Sequence, residues 1–224
     1  MIVEINHSKK AVTSSAHNLI MFTNDKFSTK ELKKNLSATE FSYLNDILKT
    51  SDLKKNILFF EVSSKKKIIL ISIKDNLKDS DIENLGAELY KQVSVRKDKE
   101  YNINSDTLIG NHKNFLSYFL HGLKLKSYEF KKYKTKKNKK IILINVTGNR
   151  NKPSNQTYLK FKALEEGTFF ARDLVSEPGN ILHPDEYTKR INSLRKDGLK
   201  VTVFDKKKLK KLGMNALLGV GMGS

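Results

Sequence analysis

A chain of 224 residues that is 38% hydrophobic and 30% charged can bury a core of its own, as one large domain or two small ones. It has no cysteine, which excludes disulfides and thiolate metal sites and suits a reducing, cytoplasmic setting. No apolar run approaches the roughly 18 residues of a membrane span, and MIVEINHSKK lacks the basic-then-apolar order of a signal peptide, so no membrane partner is expected.

In chain order, residues 2–6 (IVEIN) and 18–23 (NLIMFT) read as short strands. Residues 39–49 place Phe41, Leu44, Ile47 and Leu48 on one helical face, with Thr39 as the N-cap. Two unalternating apolar runs follow, ILFFEV (57–62) and KIILISI (67–73), a pattern that predicts central strands buried on both faces. Residues 79–93, with Ile82, Leu85, Leu89 and Val93 at helical spacing, and residues 111–125 predict helices; IILINV (141–146) predicts another buried strand. Strands alternating with helices argue for an α/β layered domain with helices on both sheet faces.

The stretch Leu123 to Lys140 carries nine lysines interleaved with Tyr128, Phe130 and Tyr133, and the whole chain has a formal net charge of +19. Only five of the 43 basic residues are arginine, whose planar fork is what reads base edges. A lysine surface predicts weak, non-specific nucleic-acid binding by counterion release at most.

GNRNKPSNQT (148–157) is the best linker. After it, residues 158–175 predict one long helix with Leu159, Ala163, Gly167, Phe170, Ala171 and Leu174 as its apolar stripe. That helix must end near Glu177, because Pro178 cannot continue it. Pro184 suits the first turn of a new helix, and Asp185 and Glu186 suit the positive end of its dipole. The run 184–197 predicts that helix, LKVTVF (199–204) a strand, and 205–213 a short helix.

Two passages, ARDLVSEPGNILHPDEY and LKVTVFDKKKLKKLGMNALLGVGMGS, resemble the start of the catalytic domain of the leucyl aminopeptidases, the cytosolic two-metal family, whose pattern runs ARDLVNEPxNxLTP and then LGMGALLAVGQGS. Upstream, FLHGLKLKSYEFKKYKTKK resembles the family's EGLLLGAYRFDRYKSKK. Ser176, His183, Asn215 and Met222 depart from the pattern at positions that carry no chemistry in the family. The resemblance implies an N-terminal three-layer α/β domain like a macro domain over residues 1–150. A linker helix over 151–178 and the incomplete opening of an α/β catalytic domain over 179–224 would follow. It implies a homohexameric, cytoplasmic metallo-exopeptidase that removes N-terminal amino acids from peptides. Two divalent ions, manganese or zinc, would polarise the scissile carbonyl and activate a water. The family's metal and catalytic motifs resemble VGKGxxFDSGG and NTDAEGR, and neither occurs in this sequence, so this chain alone is expected to be inactive.

No catalytic, cofactor-binding or metal residue is assigned within the chain. His7, His17, His112, His121 and His183 show none of the paired spacings of metal ligands. Asp79, Asp81, Asp185 and Glu186 read as first-turn acids. GVGMGS at 219–224 lacks the ending of a phosphate loop, and the resemblance implies a close-packing turn there. The reading from another class is a stand-alone basic α/β module that binds nucleic acid non-specifically.

Overall fold

In the computed structural model of the chain, which describes residues 2–7, 18–110, 112–135 and 140–222, six strands pair into one mixed sheet. They are β1 (Ile2–His7), β2 (Asn18–Asn24), β3 (Ile57–Glu61), β4 (Lys67–Ile73), β5 (Glu100–Asn104) and β6 (Ile141–Thr147). Their order across the sheet is β1-β6-β5-β2-β4-β3, and every neighbour pair is parallel except β3 against β4. The helices are α1 (Ala38–Leu48), α2 (Asp79–Ser94), α3 (Phe115–Lys126), α4 (Asn155–Ser176), α5 (Pro184–Ser193), α6 (Lys206–Lys211) and α7 (Asn215–Met222). The chain divides into two compact units, Met1–Phe169 and Phe170–Ser224, with the boundary inside α4.

In the first unit, α2 and α3 cover one sheet face. Their Ile82, Leu85, Leu89, Phe115, Phe119 and Leu123 pack on Ile20, Phe22, Ile69, Tyr101, Ile103 and Ile144. The two helices approach so closely because each presents glycine to the other. A Cβ on Gly86 would lie 1.9 Å from the Phe119 carbonyl oxygen, and one on Gly122 would lie 1.9 Å from that of Glu83. On the other face, Leu32 and Leu44 pack on Leu19, Met21, Leu58, Phe60, Ile68 and Leu70.

That second cover extends over β2, β4 and β3. On the same face, β1, β6 and β5 carry Glu4, Leu143 and Glu100 in one row and Asn6, Asn145 and Asn102 in the next. Glu4, Asn6 and Glu100 are exposed, and Asn145 donates to Glu100 at 2.8 Å and to Asn102 at 3.2 Å. The expectation of helices over both faces is thus met by the described residues across half of the second face.

Several details depart from the sequence expectation. The cap of α1 is Ser37, not Thr39: Ser37 Oγ accepts from the Glu40 N–H and Glu40 returns the bond to the Ser37 N–H at 2.9 Å, a reciprocal capping box. The run ILFFEV is the edge strand β3 rather than a central one. Its Ile57, Leu58 and Phe60 are buried, and the Arg96 guanidinium lies over the Phe59 ring at 4.0 Å. Strand β5 went unforeseen because Asn102 and Asn104 dilute its apolar content, although Tyr101 and Ile103 alternate as a half-buried strand should. In α4 the buried apolar positions are Leu174, within the predicted stripe, and Phe161, outside it, whereas the predicted Leu159 is 53% exposed.

In the second unit, residues 199–204 form no strand. Their alternating apolar pattern calls for a sheet neighbour, and without one Leu199, Val203 and Phe204 stay about half exposed. Within the described residues of the glycine-rich tail, Gly219 and Gly221 lie in α7 rather than in a turn.

Candidate functional site

Parallel strands deliver their following loops to one edge of a sheet, and ligands collect where successive crossovers leave for opposite faces. Here the chain leaves β2 toward α1, on one face, and leaves β4 and β5 toward α2 and α3, on the other. At the carboxyl ends of these strands lies a crevice of about 990 Å³, lined by Asn24, Asp25 and Lys26, by residues 73–77, and by Ile109, Gly110, His112 and Phe115.

Local geometry holds each wall. After β2, the Asn24 carbonyl accepts from the Phe27 N–H at 3.0 Å and its side chain accepts from the Ser28 N–H at 2.9 Å. This tight turn, with Phe27 at φ 54, lifts Asp25 and Lys26 to the rim. The Phe22 N–H donates to Thr107 Oγ1 at 3.0 Å, tying β2 to the segment after β5. After β4, Asn76 takes the left-handed φ of 59 that an asparagine tolerates. The loop after β6 is fastened alongside: Asp106 accepts from the backbone N–H groups of Asn149 and Arg150 at 2.8 and 2.7 Å.

His112 is the one histidine on the crevice wall. Its Nε2 lies 3.1 Å from Asp79, while its Nδ1 is buried without a partner among the described residues. Asp79 therefore does more than favour a helix start. It also accepts from the Tyr118 hydroxyl, and that bond, with burial adding to it, raises the Tyr118 pKa above the usual tyrosine value. Asp81 accepts from the Lys78 N–H at 2.9 Å.

The remaining candidates are dispersed. His121 Nδ1 lies 3.2 Å from Glu165 on α4, so the two histidines spaced nine apart each engage a separate carboxylate. His7 packs edge-on against Tyr158 at 5.7 Å, and burial, with Lys152 adding, lowers its pKa. His183 precedes α5 without a side-chain cap bond. His17 and residues 136–139 of the lysine run lie outside the described residues. Among the described residues, no group of three His, Asp or Glu side chains could hold a metal ion, so the two-metal centre that the resemblance implies finds no fit in them, and no step is routed through it.

Sequence reasoning missed the crevice residues. The available signal was Asn-Asp-Lys directly after one apolar strand and Lys-Asp-Asn directly after another, at positions where α/β sheets gather ligands.

An α/β chain of this build, with a mixed six-stranded sheet, matches solved structures. A tomato leucine aminopeptidase variant superposes with a TM-score of 0.71 at 16% identity, covering 94% of this chain and 46% of that one. A bottromycin maturation enzyme superposes with a TM-score of 0.67 at 16% identity, covering 94% and 44%. At such identities the likeness speaks for the fold. Residues 169–224 match the profile of the cytosol aminopeptidase family, catalytic domain. A curated relative from a Bradyrhizobium species is 39% identical over 107 residues, or 46% of this chain and 21% of the relative. One from Agrobacterium fabrum is 42% identical over 113 residues, or 47% and 22%. Both carry the name probable cytosol aminopeptidase. Over these matched residues the chain is similar to the cytosol aminopeptidase family. Its matched stretch spans about a fifth of the length of those curated relatives.

Proposed function

We propose that the chain is the N-terminal portion of a leucyl aminopeptidase-type metallo-exopeptidase, one that removes N-terminal amino acids from peptides and places its catalytic residues outside these 224 residues. The observation that carries this reading is the match of residues 169–224 to the family's catalytic domain. In it, residues 1–150 form an N-terminal domain akin to a macro domain, 151–178 a linker helix, and 179–224 the opening of the catalytic domain. The parent enzyme would be a cytoplasmic homohexamer that works with two divalent ions, manganese or zinc. No helix among the described residues is long and apolar enough to cross a membrane.

The purified 224-residue chain, supplied with manganese or zinc, is expected to release no leucine from leucine amide. Metal-dependent release above a protein-free control would overturn the placement of the catalytic residues. If the encoded sequence after Ser224 lacks both VGKGxxFDSGG-like and NTDAEGR-like motifs, the aminopeptidase reading itself falls.

A second reading rests on the net charge of +19. Phe130 and Tyr133 meet edge to face at 5.8 Å, and Lys132 lies over the Tyr133 ring at 5.5 Å, which makes a cationic, aromatic surface. Any nucleic-acid binding should then be sequence-blind and fall steeply with salt. A preference of more than about a hundredfold for one sequence at physiological salt would contradict it.

A further inference from the structure

We propose that the crevice at the carboxyl ends of β2, β4 and β5 binds a short free peptide by both of its charged ends. The choice of peptide among zwitterions rests on the aminopeptidase reading; the charge logic does not.

The loop after β2 brings Asp25 and Lys26 to the crevice, and the loop after β4 brings Lys74 and Asp75. All four side chains are exposed, and among the described residues none of them forms an ion pair. The wall therefore offers two unneutralised charges of each sign. A polyanion such as a nucleoside phosphate would meet carboxylate repulsion as well as lysine attraction, and a simple cation would meet the reverse. A molecule with separated positive and negative ends gains from both loops at once. A free peptide has this form, with an ammonium for Asp25 or Asp75 and a carboxylate for Lys26 or Lys74. A volume of about 990 Å³ leaves room for several residues between those ends.

The test is titration of the 224-residue chain with trialanine, followed by isothermal calorimetry or amide chemical shifts, with no metal added. Saturable binding is expected, with shifts confined to residues 24–28, 73–77 and 109–115. Acetylating the amino end or amidating the carboxyl end should each weaken binding by at least about tenfold. Lys74→Ala and Asp75→Ala should do the same with unchanged circular dichroism. Pyrophosphate should not compete. Absence of saturable trialanine binding, equal binding of the doubly capped peptide, or displacement by pyrophosphate would each overturn the proposal. The capped peptides decide it even if a variant fails to fold. Because the assay involves no turnover, failure here leaves the aminopeptidase reading standing, and failure of that reading leaves this binding measurement valid.

Discussion

Arg190 on α5 donates from Nη1 to Glu177 at 2.7 Å and from Nε to Glu186 at 2.9 Å. One guanidinium thus joins the residue preceding Pro178 to the first turn of the next helix. The Glu177 side chain is 1% exposed, and its buried carboxylate is paired with that guanidinium. Between them the chain reverses through a turn in which the N–H groups of Ile181 and Leu182 both donate to the Pro178 carbonyl at 2.9 Å. The junction that punctuates the sequence is therefore held by an ion-pair fork as well as by proline.

Arg190→Lys should loosen this junction, because an ammonium cannot present two parallel N–H groups. Faster proteolytic nicking between residues 177 and 190 is the expected result, with the first unit left intact; unchanged cleavage would show the fork to be dispensable. The bond from Arg190 holds the Glu186 carboxyl below the usual glutamate value, against the opposing effect of burial. Its contribution is therefore complete above the ordinary glutamate pKa and lost as pH falls through the lowered one. Amide protection factors at residues 184–190, corrected for the intrinsic pH dependence of exchange, should fall on acidification in the parent and respond less in the variant.

Glu40 serves two structures at once, closing the α1 capping box and pairing with Lys66 at 2.5 Å. Burial works to raise its pKa, but the hydrogen bond from Lys66, joined by the Ser37 N–H, lowers it overall. Lys66→Met should cost about 1–3 kcal/mol at neutral pH by stranding a carboxylate that is 12% exposed. The parent should lose stability as pH falls below the ordinary glutamate pKa, and the variant should lose much less over that range. Parallel acid-induced losses in urea melts of the two proteins would rule the pair out as the cause.

Gly122→Ala should destabilise the first unit by about 1–3 kcal/mol or more, because the added methyl meets backbone and not a side chain that could swing aside. Gly167→Ala is the control, since a methyl added there would meet nothing within 4 Å, and it should be neutral or mildly stabilising. Thermal melts of the two variants should separate clearly. Coincident melting would mean that α2 and α3 can part without cost.

The second unit should open before the first. Leu199, Leu217, Val220 and Met222 are 54%, 52%, 74% and 71% exposed, and each uncovered apolar Å² forfeits roughly 25 cal/mol. Limited proteolysis should cut beyond residue 178 first, and hydrogen exchange at 199–222 should be complete while β4 and β6 remain protected. Uniform protection across 180–220 would show that this unit closes a core by itself.

Local patterning carried much of the structure in the sequence. Strands β4 and β6 were legible from continuous apolar runs and helix α2 from apolar residues at helical spacing, and Pro178 and Pro184 marked the junction through ring geometry alone. What remained hidden depended on partners distant along the chain. Tyr101 and Ile103 become the middle of the sheet only when β6 and β2 flank them, and Gly86 and Gly122 acquire meaning only where two helices cross. Residues 199–204 show the converse, a strand pattern with no neighbouring strand among the described residues. The sequence by itself determined the α/β class and the resemblance to the cytosol aminopeptidases. The tertiary structure alone decided the crevice, because Asp25, Lys26, Lys74 and Asp75 meet through the parallel register of β2 beside β4, which no spacing along the chain encodes.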